Sequence, residues 1–149
     1  MKIRFLEARD RQAWVAMRAA LWPDVDPDLL GHQTIMHFSG AKVAEAVFVA
    51  EATDGETCGF LELSLRPYAE GCATSPVPYI EAWYVSPGAR HKGAGRALMS
   101  AAEHWALIRN FTEIASDTHI DNSQAQAAHT AIGYEEVERV VTFRKTLRV

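Results

Sequence analysis

Tyr79-Ile80-Glu81-Ala82-Trp83-Tyr84-Val85-Ser86-Pro87-Gly88-Ala89-Arg90-His91-Lys92-Gly93-Ala94-Gly95-Arg96 is the stretch whose reading decides the fold. Its aromatic and β-branched residues, Tyr79, Ile80, Trp83, Tyr84 and Val85, predict a strand that the turn residues Ser86-Pro87-Gly88 close. Downstream, Leu98, Ala101, Trp105 and Ile108 recur at three- and four-residue spacing, which predicts a helix from Ala97 to Ile108. Between the two, Arg90 to Arg96 carries two glycines that leave the backbone uncovered just where a helix begins. Unpaired N–H groups, bare backbone and flanking cations make an anion site, most naturally for phosphate. A P-loop needs Ser or Thr after its Gly-Lys, and none is present. A dinucleotide fingerprint needs a third glycine where Leu98 stands.

Around this stretch, 149 residues predict one domain, 1–149, with room for a substantial core. The net charge of -4 argues against nucleic-acid or anionic-membrane partners. Cys58 and Cys72 are two thiols in a chain that needs no staples, which points to a reducing compartment. Met1 to Glu7 is too short and charged for a signal peptide, and no apolar run approaches the ~20 residues a bilayer span needs. The expectation is a cytoplasmic protein. Six histidines and two cysteines form no close-spaced ligand set, so no metal is expected.

Taken in order, Ile3, Phe5 and Leu6 predict a first strand, and Asp10 a cap for a helix to Trp22. Asp24-Val25-Asp26-Pro27-Asp28 turns into a second helix, Pro27 to Phe38. Val43 to Ala52 and Cys58 to Arg66 predict a hairpin around Asp54-Gly55, followed by a long loop from Pro67 to Pro78. After the glycine stretch come a strand from Glu113 to Asp117 and a helix capped by Asn122 or Ser123 and stopped by Gly133. Tyr134 to Glu138 and Arg139 to Leu147 predict two last strands. The fold class is α/β: a mixed central sheet with helices on both faces.

Strand, Arg90-x-x-Gly93-x-Gly95, helix, then strand, Asn122 and a helix ending in Gly133-Tyr134 resembles the GNAT family of acetyl-CoA-dependent N-acetyltransferases over nearly the whole chain. Several separated stretches narrow the likeness to the aminoglycoside 6′-N-acetyltransferases. They are Leu21-Trp22-Pro23-Asp24, Arg66 and Tyr68 before Gly71-Cys72, Ser75-Pro76-Val77, Ala115-Ser116-Asp117-Thr118 and Gly133 to Val140. The resemblance implies acetyl-CoA as co-substrate, held by the backbone of His91, Lys92, Gly93, Ala94, Gly95 and Arg96, with Trp83, Tyr84 and Val85 along its pantetheine arm. It implies an aminoglycoside acceptor and a homodimer; Cys58 and Cys72 lack a visible activating partner, so direct attack in a ternary complex is expected over an acyl-cysteine. The rivals are a GNAT acetyltransferase for polyamines or protein N-termini, and a non-catalytic acyl-CoA sensor.

The reaction itself sets what the site must do. An aliphatic amine with a pKa of ~10.4 must lose a proton before it attacks a thioester, at a cost of up to about 4–5 kcal/mol at pH 7. A carboxylate beside the amine can accept that proton. Glu81 interrupts an apolar strand and fits this role, against the alternative of an outward-facing strand residue. Asp117, at a strand end, is either a turn acid or, by the resemblance, a ligand for substrate ammonium groups. Trp22 and Glu138 would line the same pocket and Tyr68 would cover it; Trp22 can equally be core, and Glu138 solvated charge. His129 stands where GNAT enzymes frequently place the tyrosine that protonates the leaving thiolate; packing is its alternative. Asn122 would bond the CoA arm or cap its helix.

Overall fold

The computed structural model describes residues 1–148, which divide into two compact units, Met1–Asp117 and a shorter one from Thr118 onward. The first unit is built on strands β1 (Lys2–Phe5), β2 (Ala46–Glu51), β3 (Thr57–Arg66), β4 (Val77–Val85) and β5 (Ala115–Ser116), which lie in the sheet in chain order. The first four pair antiparallel and β5 joins β4 in parallel, so the sheet is mixed. Helices α1 (Arg11–Leu21), α2 (Pro27–Phe38) and α3 (Ala94–Leu107) cover it, and the second unit holds α4 (Ser123–Ala131). No helix among the described residues is long and apolar enough to cross a membrane.

Alternation along the strands divides the core between two faces. Trp14 and Met17 of α1 pack with Val47, Val49, Phe60 and Ala82 on one face. On the other, Trp83 donates its indole N–H to the Gly95 carbonyl of α3 at 3.0 Å. Both placements depend on an irregularity in β4. Glu62 pairs with Ala82, but Leu63 pairs with Ile80, so Glu81 is an extra residue in the strand. In an unbulged strand Trp83 would share the face of Tyr79; the extra residue turns it toward α3.

Asp26 accepts the Asp28 N–H at 2.9 Å and starts α2 at Pro27, as its sequence predicts. Gly55, with φ +87°, makes the hairpin turn. Several expectations are corrected. Asp10 does not cap α1: its carboxylate receives the fork of Arg4 and the N–H of Glu7. β2 begins at Ala46 rather than Val43, the long loop ends before Val77, and α3 begins at Ala94 rather than Ala97. Only Ala115–Ser116 of the 113–117 segment finds a ladder partner. The two last strands do not form. Residues 134–148 have no regular structure, and Val141 and Phe143 are 78% and 92% exposed. Their β propensity expresses fit to a half-buried sheet surface, and no such surface meets them among the described residues.

Candidate active site

The glycine stretch forms the turn its sequence predicts. Pro87–Ala89 makes one 3-10 turn, and Gly93 adopts φ +90° immediately before α3, a conformation open to glycine at little cost. Gly93 has no side chain to cap this helix, so the N–H groups of its first turn are not satisfied from that residue. Gly95 lets the Trp83 ring lie close, since a Cβ there would stand 3.2 Å from Trp83 Cζ2 and the ring would have to give way. Arg90, His91, Lys92 and Arg96 are exposed around the turn. Two of them also brace it: Arg90 Nε donates to the Val85 carbonyl at 2.9 Å and Lys92 Nζ to the Gly88 carbonyl at 3.1 Å. The helix dipole, open N–H groups and surplus cations make this an anion cradle.

β4 leads straight into that cradle. Its pairing with β5 covers only Tyr79 and Ile80, so the edge from Glu81 to Val85 continues past the end of the β5 ladder. A strand that outruns its neighbour in this way can take up an extended amide chain as an added strand.

Upstream on the same strand, the bulge gathers charged side chains. Arg66 Nε donates to Glu81 Oε1 at 2.8 Å, and Nη2 bonds Oε1 and, at 2.9 Å, Oε2. The Arg66 guanidinium lies 3.5 Å from the Tyr79 ring centroid. This is the diagonal position expected when Arg66 is opposite Val77 in the ladder. The Tyr79 hydroxyl in turn donates to Asp117 Oδ2 at 2.7 Å. Burial, with Asp117 adding to it, pushes the Tyr79 hydroxyl well above its ordinary range, so it stays a proton donor to that acid.

Trp22 reaches the same region through the core. Arg18, 3% exposed, lies between Trp14 and Trp22, with its guanidinium 5.4 and 5.0 Å from their centroids. Arg18 Nη1 stands 3.5 Å from Glu62 Oε2, which accepts the Trp14 indole N–H at 3.0 Å. Burial raises the Glu62 pKa, Arg18 and Trp14 oppose that, and nearby Glu81 adds to it.

A profile of the Acetyltransferase (GNAT) family matches residues 11–134. The chain belongs to that family. Among curated relatives it is similar to an aminoglycoside N(6′)-acetyltransferase type 1 of Klebsiella aerogenes, 49% identical over 97% of this chain and 96% of that one. The enzyme of the same name from Stenotrophomonas maltophilia is 44% identical over 97% and 93%. Among solved structures, AAC(6′)-Iy in complex with the bisubstrate analogue CoA-S-monomethyl-acetylneamine superposes with a TM-score of 0.87 at 33% identity, covering 98% of both chains.

For this member of the GNAT family, the first unit brings Glu81, Asp117, Trp22 and the glycine loop onto one sheet with its helices. Tyr68 sits 66% exposed on the 67–76 loop. That loop is tied down at Ala73 and Thr74, whose N–H groups donate to Glu113 Oε1 at 2.9 and 2.8 Å. Asn122, His129 and Glu138 belong to the second unit. There Asn122 accepts the Ala125 N–H at 3.0 Å and caps α4, His129 Nδ1 lies 2.7 Å from the Ala125 carbonyl and meets the Tyr134 ring edge-on, and Glu138 is exposed. Sequence reading missed the Arg66 fork, the Tyr79 link to Asp117 and the buried Glu62. The alternation of Glu62, Ser64 and Arg66 on one face of β3 was the available signal for the first and last.

Proposed function

We propose that this chain transfers the acetyl group of acetyl-CoA to the 6′-amine of an aminoglycoside by direct attack in a ternary complex. One observation carries the reading: a single strand, β4, joins an acidic cluster at Glu81 to an anion cradle braced by Trp83. Cationic acceptor and anionic donor would meet along it. The named relatives supply the acceptor class.

In this reading the α3 N–H groups, with Arg90, His91, Lys92 and Arg96, hold the CoA pyrophosphate, and the strand from Trp83 to Val85 aligns the pantetheine amides. Asp117, Trp22, Tyr68 and Glu138 bind the polycation. Glu81 takes the ammonium proton, directly or through water; the freed amine forms the N–C bond as the C–S bond breaks. His129 is positioned by sequence to return a proton to the sulfur, and Asn122 to bond the CoA arm. Acetylation removes one positive charge from the drug and adds bulk, which weakens its attraction to a nucleic-acid polyanion.

A single acetyltransferase domain over 1–149, acting as a cytoplasmic homodimer, completes the proposal. The family match across both units favours one domain, and the exposed apolar residues Val137, Val140, Val141, Phe143 and Leu147 favour a second copy as cover. Incubation with acetyl-CoA and kanamycin should release CoA and give a 6′-acetylated product. Acetyl-CoA binding without turnover on an amine panel would point to a sensor, and preference for spermidine over kanamycin to a polyamine enzyme. Light scattering reports the oligomeric state.

A further inference from the structure

Arg66 is the unexpected member of the acceptor cluster. Its fork engages both oxygens of Glu81 while its face rests on the ring of Tyr79, the residue that holds Asp117. While the fork is closed, both Glu81 oxygens are engaged and not available to an incoming ammonium. A guanidinium at that place also repels an incoming ammonium. Both effects oppose the role proposed for Glu81 so long as the pair stays closed. The pair is nevertheless placed to open. Its side chains are 42% and 25% exposed, and Arg66 is the last residue of β3, followed by Pro67 and the 67–76 loop. An ion pair this accessible is screened by water and exchanges partners at small cost.

We propose that Arg66 is an internal stand-in for the acceptor's ammonium group. It occupies Glu81 until a polycation displaces it, and so selects acceptors with a second ammonium that Asp117 can hold. This rests on the reading of Glu81 and Asp117 as acceptor acids. Exchange at Glu81 replaces one cation by another, so the gain must come from the second contact. A monoamine has none to offer.

The test is steady-state kinetics of Arg66→Met with kanamycin, using the KM for acetyl-CoA as the check that the protein is folded. The kanamycin KM should fall about fivefold, the scale on which an exposed ion pair competes. Arg66→Lys, which keeps the charge without the fork, should show a smaller fall. Hexylamine should gain more than kanamycin in Arg66→Met, because it can no longer be outcompeted. A raised kanamycin KM, or a fall in kcat/KM with acetyl-CoA binding intact, would make Arg66 a fixed clamp on Glu81 and overturn the proposal. Nitrogen-15 spectra of the wild-type protein give a reading independent of any variant. The Arg66 Nε–H resonance should move on saturation with kanamycin, and an unmoved resonance refutes displacement. Glu81→Gln separates the two levels: full turnover there removes Glu81 from the chemistry, whereas lost turnover with an unmoved Arg66 sinks only the stand-in.

Discussion

Arg18–Glu62 and Arg66–Glu81 set the same two functional groups on one face of the sheet, four residues apart on β3, yet they are built for different ends. Arg18 and Glu62 are each 3% exposed, 3.5 Å apart, and clasped by Trp14, Trp22 and Gln33. Desolvation lowers the Arg18 pKa and raises that of Glu62, and the charge of each partner opposes the shift of the other. The outer pair is closer and bidentate but open to water. Chemical identity therefore says little about role. The buried pair links α1 to β3 away from water, and the outer one stands where water reaches it.

The comparison breaks most visibly at the outer pair. Glu81→Gln keeps the shape of the side chain and removes its basicity, so kcat should fall by about 10²–10⁴-fold, the usual contribution of a positioned base. The KM for acetyl-CoA should stay near the wild-type value, because the cradle at α3 is untouched. Unchanged turnover would take Glu81 out of the chemistry.

The inner pair should answer with stability rather than rate. Arg18→Met leaves the Glu62 charge buried without its partner and should cost about 3–5 kcal/mol, read as a lower denaturant midpoint at constant slope. Replacing both, Arg18→Met with Glu62→Leu, should recover most of that loss, since an apolar pair of similar volume avoids the desolvation of two charges. A double variant no more stable than the single one would show that packing against Trp14 and Trp22, not charge, was lost.

The same contrast explains what was legible in the sequence. Gly93 and Gly95 mark the cradle because a backbone-built site needs special residues in one short run, and the resemblance named its ligand. Helices α2 and α4 announced themselves through Asp26 and Asn122, whose caps are local. Arg66 and Glu81 meet only across the β3–β4 ladder, 15 residues apart in the chain, and no local pattern encodes that register. Asp117 was flagged by its place at a strand end, but the Tyr79 hydroxyl that orients it lies 38 residues away. The segments from Tyr134 onward read as strands because propensity records fit to a sheet, and it cannot say whether one is present.

Arg4–Asp10 is an intermediate case that tests whether burial alone grades these pairs. Its side chains are 11% and 5% exposed, with Arg4 Nη1 on Asp10 Oδ2 at 2.7 Å, Nη2 on Oδ1 at 2.9 Å, and the Glu7 N–H on Oδ2 at 2.8 Å. The Arg4 fork, and after it the Glu7 N–H, hold the Asp10 carboxyl below its ordinary range, against the opposing effect of burial. A depressed folded-state pKa contributes stability that is fully present above the unfolded value of about 3.9 and is lost as pH falls through the folded value. Asp10→Asn should therefore be less stable than wild type by about 1–2 kcal/mol at pH 7, less than the inner pair because Arg4 keeps Glu51 as a second partner. The gap should close as both proteins are titrated below pH ~3.9, because protonation strips the wild type of the same interaction. A gap that persists undiminished at pH ~2 would assign the loss to the geometry of the Glu7–Asp10 turn rather than to the charge, and burial would no longer rank the three pairs.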